Sequence, residues 1–424
     1  MSQSISIKHG RELYTLEVNP DDLVSTLRAQ IYSLTNVPPE NQKLIGKGMI
    51  KDDSLPISAL TLPPNKPLTL IGSAISAPIA VEKPVFLEDI QKGDSHIVKL
   101  PGRGCVNLGN TCYLSSVLQA LARIPHLLPA LQSSLGQPLL NQLNTTLQTL
   151  QSSGSAFSPS QLVTLFRNAF PQFNERTEHG FFAQQDAEEA LESLLSLLRN
   201  VPPTTNVPRV SAPSSLPMND NLAMQLFGLE LSRKLSNTEA QEVEDKAAEV
   251  VTSVKVNITS ECDYLEQCLE EMLSGHIEKN SQILGRNAVF KSSSLLNSLP
   301  PYLFTSFVRF EWREDIAQRV KILKKVTFPM TLDLYEYCTE GLKSVLQDKK
   351  MVYRLTAVVA HKGRSAEGGH YMSYVKTVEE GEEKWVWYDD AKVALISEEK
   401  VKELSGGGDL PIAYILLYSL EEAK

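Results

Sequence analysis

The spacing of apolar positions divides the chain into stretches of two periods. Ile5-Ser6-Ile7 and Tyr14-Thr15-Leu16-Glu17-Val18 alternate apolar and polar residues and predict two strands, joined by a turn at His9-Gly10. Leu23 to Leu34 follows helical spacing behind Asp21-Asp22, whose charges suit the positive end of a helix. Pro38-Pro39 breaks that pattern, and short strands follow at Lys43-Leu44-Ile45 and Leu68-Thr69-Leu70-Ile71. Periodicity then fades into an Ala-, Pro- and Ser-rich stretch that turns charged, which predicts a flexible linker over 75–98. It separates a first domain, 1–74, from a second, 99–424.

Helical spacing returns with Leu114, Val117, Leu118 and Leu121 and stops at Pro125. Leu127 to Leu150, Pro159 to Phe170 and Gln185 to Leu198 continue it, the last with Ala187, Leu191, Leu194, Leu195 and Leu198 on one face. These helices predict one lobe. Pro202 to Pro217 is Pro/Ser/Thr-rich and reads as a loop or disordered stretch. Beyond it come strand-like segments at Leu226 to Leu231, Val251 to Ile258, Val289 to Lys291 and Tyr302 to Phe310, with a helical insert at Cys262 to Lys279. Near the end, a turn at Ser405 to Asp409 precedes Ile412 to Tyr418, an apolar run that suits a buried central strand. The whole reads as an α+β chain.

Its 424 residues leave room for at least two domains. A net charge of −9 argues against a nucleic-acid footprint and against an anionic membrane surface. Leu68 to Val81, the longest mostly apolar stretch, contains Pro78 and is too short to span a bilayer. Lys8 and the charges after it interrupt any N-terminal signal. Five cysteines without regular spacing suit a reducing compartment better than a disulfide framework. The glycines at 406–408 lack the context of a phosphate loop.

Candidate chemistry centres on Gly104-Cys105-Val106-Asn107-Leu108-Gly109-Asn110-Thr111-Cys112-Tyr113-Leu114, a Gly-punctuated turn running into a helix. Asn110 and Thr111 are N-cap types, so Cys112 falls at or beside the helix N-terminus. Exposed N–H groups and the macrodipole there favour an anion. A thiol so placed can drop to a pKa of about 3.5–7.5 from about 8.5. Far downstream, Gly368-Gly369-His370-Tyr371 sets a histidine at the start of an alternating strand, and Trp385-Val386-Trp387-Tyr388-Asp389-Asp390 ends a second strand in acids. If the two strands pair as a hairpin, a carboxylate can orient the imidazole, which in turn can serve the thiol.

These motifs, in this order, resemble those of the ubiquitin-specific protease family over about Gly102 to Tyr418, with Gln184-Gln185-Asp186-Ala187-Glu188-Glu189 matching the segment between them. The resemblance implies a papain-like domain of thumb, palm and fingers, the fingers-like region lying at about 218–334. It implies Cys112 as nucleophile, His370 as general base, Asp389 as its orienting partner and Asn107 as oxyanion donor. Asp390 could share the acid's role. Gln184, Asp186, Gly369, Tyr371 and Asp390 are implied to line the channel for the substrate's tail; Gln184 and Asp186 fit helix capping equally well. Loops at Trp312 to Val320 and Gly363 to Gly369 are expected to cover that channel at rest. Many members carry a zinc held by two CxxC pairs. Here Cys262, Cys268 and Cys338 are scattered, so no metal and no cofactor are expected.

The first domain, in ββαββ order, resembles ubiquitin, most closely in Val37-Pro38-Pro39-Glu40-Asn41-Gln42-Lys43-Leu44-Ile45. It ends Gly72-Ser73-Ala74 without a terminal diglycine, which marks a fixed β-grasp domain rather than a cleavable tag. Its seven basic and seven acidic residues balance, so docking should rest on apolar contact, with Ile45 at the position of ubiquitin's hydrophobic patch. The combination resembles the proteasome-associated branch of the family. It implies ubiquitin and ubiquitin chains as substrates, the proteasome regulatory particle as partner, and a cytoplasmic and nuclear location. Two alternatives stay open: a non-catalytic regulator that binds ubiquitin and proteasome, and a general cysteine endopeptidase.

Overall fold

A computed structural model describes residues 3–72 apart from 11, 19, 21–22, 25–26, 29–30, 32–34, 36, 38–40 and 61–65. It describes 102–422 apart from 134–135, 178–179, 206, 214, 217, 219, 315–317, 348–350, 364–367, 380 and 407–410. The chain resolves into two compact units, Met1–Lys83 and Pro84–Lys424. The expected linker and the Pro38-Pro39 break lie outside the described residues.

In the first unit, alternation in sequence becomes alternation across a sheet. Strands β1 (Gln3–His9) and β2 (Glu12–Val18) pair antiparallel around Gly10, whose φ of +61° is a left-handed turn conformation. Strands β3 (Lys43–Ile45), β4 (Met49–Ile50) and β5 (Leu68–Ile71) complete the order β2-β1-β5-β3-β4, with β1 and β5 parallel. Val24, Leu27, Arg28 and Ile31 are helical, and Leu27 and Ile31 bury against Ile5, Ile7, Leu44, Leu68 and Leu70. Since neighbours in a strand face opposite ways, Leu44 is buried while Ile45 turns outward. Cross-strand pairing sets Ile45 opposite Met49 and Thr69, and Lys43 opposite Ile71. Ile45, Met49 and Ile71 thus share one face, with Met49 and Ile71 each 52% exposed.

The second unit opens with a helical lobe. Helix α1 (Cys112–Leu121) is buried along its whole length. Helices α2 (Leu127–Gln132) and α3 (Pro138–Gln151) replace the single expected run, because Gly136 and Pro138 interrupt it and proline is favoured at the first helical position. Helices α4 (Ser160–Ala169) and α5 (Ala187–Leu198) complete the lobe. Asp186 caps α5 by accepting a hydrogen bond from the Glu188 N–H at 2.8 Å.

Against this lobe lies a twisted sheet built from β6 (Val254–Asn257), β7 (Tyr302–Val308), β10 (Met351–Lys362), β11 (His370–Glu379), β12 (Glu382–Asp389), β13 (Lys392–Ile396) and β14 (Ile412–Glu422). Beside it β8 (Phe310–Arg313) and β9 (Gln318–Lys321) form a two-stranded ribbon. The sheet order is β6-β7-β14-β10-β11-β12-β13, so the apolar run at the C-terminal end is central. It feeds two cores. Ile415 and Leu417 pack toward the helices, and Leu416 and Tyr418 toward the opposite face.

The fingers are a separate sheet of Ser274–Ser281, Arg286–Leu296, Leu229–Asn237 and Glu242–Asp245, around a small core of Leu235, Ala288 and Phe290. Several expectations change here. Leu222–Phe227 is a helix, capped by Asn221 and closed by Gly228, so the strand begins at Leu229 rather than Leu226. The insert at Cys262 to Lys279 is helical only over Leu265–Leu273. From Ser274 it pairs with Arg286–Leu296, with helix-weakening Gly275 next. Val251 to Ile258 is two strands in different sheets, Glu249–Val251 and Val254–Asn257. The loop expected at Trp312 to Val320 is the β8–β9 ribbon, with 315–317 outside the described residues. Most of Gly363 to Gly369 also falls outside them, at 364–367.

Candidate active site

Cys112 is the first residue of α1 and is 3% exposed. The turn before it is held by its own side chains. Asn107 Oδ1 accepts from the N–H groups of Gly109 (3.0 Å) and Thr111 (3.3 Å), and Thr111 Oγ1 accepts from the Leu108 N–H at 2.9 Å. Thr111 is therefore the N-cap residue, yet its hydroxyl serves the turn and not the helix. Asn110 takes a left-handed φ of +51° and donates to the Phe182 carbonyl at 2.9 Å.

The acids arrive on the neighbouring hairpin. Strands β11 and β12 pair so that Ser373 faces Tyr388, which brings His370 near Asp389 at the same sheet end. His370 Nε2 shares a short hydrogen bond with Asp389 Oδ1 and lies 3.8 Å from Asp390 Oδ2. The Cys112 sulfur lies close enough to His370 to favour the charged imidazole. With Nε2 directed at Asp389, Nδ1 is the nitrogen left for sulfur. Burial opposes the imidazolium, but Asp389 and the nearby Cys112 sulfur outweigh that and raise its pKa to about 10. Burial likewise opposes ionised Asp389, and the contact with His370 reverses it, holding that carboxyl below its usual range. Asp390 goes the other way: burial raises its pKa despite a hydrogen bond from Asn107.

That bond, Asn107 Nδ2 to Asp390 Oδ2 at 2.9 Å, ties the cysteine turn to the acidic turn. The Cys105 N–H donates to the Asp390 carbonyl at 2.8 Å beside it. Gly104 makes the approach possible: a Cβ there would lie 2.3 Å from the Asp390 carbonyl oxygen. Gly104 carries no role in the sequence pattern beyond punctuating the turn, although a glycine beside a motif cysteine is the kind of signal that marks close backbone approach.

Gln184 reaches the same place from the helical lobe. Its Oε1 accepts from the Gly369 N–H at 3.1 Å and its Nε2 donates to the Gly369 carbonyl. The structure thus brings Cys112, His370, Asp389, Asp390, Asn107, Gln184 and Gly369 together. Asp186 and Tyr371 stand behind them. Asp186 is 8% exposed, with Oδ1 accepting from the Tyr414 hydroxyl at 2.7 Å as well as capping α5. The Tyr371 ring is buried between His361 and Tyr414. Among the described residues, the group of His, Cys, Asp or Glu side chains spaced for a metal is His370, Asp389 and Asp390. Its carboxylates already accept from the imidazole and from Asn107.

A thiol at a helix start, an imidazole across from it on a sheet, and a carboxylate behind the imidazole define a thiol hydrolase of papain-like layout. The chain belongs to the ubiquitin carboxyl-terminal hydrolase family, whose model matches residues 103–418, while the ubiquitin family model matches residues 5–74. It is a cysteine-type deubiquitinating peptidase with an N-terminal ubiquitin-like domain. Ubiquitin carboxyl-terminal hydrolase 7 of Arabidopsis thaliana is 32% identical over 98% of both chains. Ubiquitin carboxyl-terminal hydrolase 6 of Schizosaccharomyces pombe is 32% identical over 99% of both. Among solved structures, the SAGA Ubp8/Sgf11/Sus1/Sgf73 DUB module bound to ubiquitin aldehyde aligns with a TM-score of 0.59 at 19% identity, over 79% of this chain and 73% of that one, which bears on fold alone.

Proposed function

We propose that the chain hydrolyses isopeptide bonds at ubiquitin's C-terminal glycine, with Cys112 as nucleophile, His370 as general base, Asp389 as its orienting carboxylate and Asn107 as oxyanion donor. The observation that carries this reading is a single imidazole that hydrogen-bonds Asp389 and lies beside the Cys112 sulfur. Sulfur attacks the glycine carbonyl as the thiolate of a thiolate–imidazolium pair. The tetrahedral oxyanion takes a hydrogen bond from Asn107 Nδ2, whose other N–H is fixed by Asp390. The imidazolium gives its proton to the departing lysine amine, leaving a thioester on Cys112. Water then attacks the thioester, His370 accepts its proton, and ubiquitin leaves with a free carboxylate. Gln184 and Gly369 line the approach to the sulfur.

The same reading assigns the outward face of Ile45, Met49 and Ile71 to docking on the proteasome regulatory particle, so that ubiquitin is trimmed from bound substrates by a cytoplasmic and nuclear enzyme. The balanced charge of that domain favours apolar docking, and the face offers it. The test is covalent capture by ubiquitin bearing a C-terminal electrophile, with and without proteasomes, for wild type and Cys112→Ala. Wild type forms an adduct and Cys112→Ala does not. An unreactive wild type under both conditions sinks the hydrolytic reading and leaves a binding protein.

A further inference from the structure

At the other end of the turn that carries His370, nine residues before it, stands His361, and there a buried lysine from the neighbouring ribbon finds three acceptors. Lys321, the last residue of β9, is 8% exposed. Its ammonium donates to His361 Nδ1 at 2.8 Å, the His361 carbonyl at 2.9 Å and the Gly363 carbonyl at 2.7 Å. Three protons meet three acceptors, all of them uncharged. Burial and the nearby Arg309 guanidinium lower the lysine's pKa to about 8, so these acceptors are what sustain the charge. Arg309, itself fully buried, pins the ribbon's root by donating to the carbonyls of Ala413 (2.7 Å) and Ile322 (3.1 Å). The lysine thus projects from a fixed base.

What Lys321 holds is the seat of Gly369. His361 is 2% exposed, and burial, with the charges of Lys321 and His370, lowers its pKa to about 3. It is neutral, and with Nδ1 accepting from lysine its proton sits on Nε2. Gly369 rests on that edge of the ring: a Cβ there would fall 2.2 Å from Nε2. Gly363 and Gly369 also touch, since a Cβ on Gly363 would lie 2.9 Å from the Gly369 Cα. Lys362 and His370 are the last register pair of the β10–β11 ladder, so beyond them the ladder ceases to hold the turn. Lys321 from one side and Gln184 from the other hold it instead.

We propose that Lys321 is a positioning residue for His370, fastening the root of the β8–β9 ribbon to the backbone that sets where the imidazole stands. This inference rests on the reading of His370 as general base. Replacing Lys321 with Met keeps the aliphatic stem and removes the donor, leaving His361 and Gly363 acceptors buried without a partner. A displacement of His370 of about 1 Å is enough to cost on the order of a hundredfold in rate.

The test is steady-state hydrolysis of a ubiquitin C-terminal fluorogenic amide by the full chain, with imidazole 15N spectra of His361 and His370. Lys321→Met lowers kcat roughly ten- to a hundredfold with KM little changed, shifts the His370 nitrogen signals, and is partly rescued by Lys321→Arg. Val326→Ala, a cavity variant in the core on the other sheet face, is the control: it lowers Tm without moving kcat or those signals. Lys321→Met with kcat within about twofold of wild type and unmoved His370 signals overturns the proposal. Should Lys321→Met not fold, the wild-type spectrum decides: a proton on His361 Nδ1 refutes the contact. A wild type that never labels with the ubiquitin electrophile is a different failure, that of the base itself.

Discussion

The His370–Asp389 contact gives the sharpest quantitative test. Asp389→Asn keeps the side chain's shape and removes its charge. A hydrogen bond to a charged group contributes about 1.5–3 kcal/mol. At about 1.36 kcal/mol per tenfold in rate, its loss from the transition state predicts roughly 10- to 150-fold. A second effect adds to it. Asparagine can present its NH2 to Nε2, which would stabilise the tautomer protonated on Nδ1, the nitrogen left for sulfur. In a serine triad the equivalent substitution costs about 10⁴ in kcat for that reason. Here Asp390 Oδ2 stands only 3.8 Å from Nε2 and can substitute for part of the lost charge. We expect kcat to fall roughly 10²- to 10³-fold, with KM changed less than about threefold. The Asp389→Asn/Asp390→Asn pair should lose more than Asp389→Asn alone. The assay is hydrolysis of the ubiquitin fluorogenic amide at pH 7.5, with a thermal melt to show that the fold persists. Activity within about threefold of wild type in a folded Asp389→Asn variant would refute the orienting role.

Asn107→Ala should lower kcat by about 10²–10³ while KM holds, since an oxyanion donor acts only in the transition state; equal loss in binding would place Asn107 in substrate recognition instead. The His370 pKa lies above its unfolded value, so its contribution to stability is complete below pH ~6.5 and fades as pH rises toward about 10. Asp389 has the opposite sign: its contribution is present above pH ~4 and lost on acidification below that. Melts of wild type against His370→Ala should therefore differ most between about pH 4 and 6.5, narrow through neutrality and converge by pH ~10, and a constant difference from pH ~6 to ~10 would contradict the assignment. If the ubiquitin-like domain docks on the proteasome as proposed, Ile45→Ser should weaken proteasome capture in a pull-down and leave hydrolysis of the fluorogenic amide unchanged; undiminished capture, or none by wild type, would refute docking through that face.

How much of this was readable in advance depended on how local each determinant is. The start of α1 at Cys112 was legible because a turn rich in Gly and Asn meets a helical apolar stripe within a few residues. The central strand at Ile412–Glu422 announced itself as an unbroken apolar run. Leu226 to Leu231 did not, because six apolar-rich residues satisfy either period; Asn221 and Gly228 settled it by capping a short helix. The stretch up to Lys279 is equally ambiguous, since its strand is fixed by its partner at Arg286–Leu296 and not by its own spacing. The seat beneath His370 left no trace at all. Lys321 is one of several basic residues after β8, and only the fold reveals that its ammonium faces two carbonyls and a ring 40 positions on.

The five thiols show what makes one of them chemical. Cys105, Cys268 and Cys338 are buried, and burial pushes each thiol up to about 12, which keeps it protonated and inert. Cys112 is just as hidden from solvent, at 3% against 0% for Cys105 seven residues earlier. Accessibility does not separate those two side chains; their neighbours do. Cys105 lies in an apolar floor with the Asp390 charge nearby, which disfavours a second anion. Cys112 begins a helix and meets an imidazole whose own proton is held by a carboxylate. Exchanging the two environments, and not the two residues, is what would move the chemistry. It follows that Cys105→Ser should be nearly silent in turnover, whereas Cys112→Ser, which keeps the geometry but replaces thiolate with a poor alkoxide nucleophile, should be close to inactive.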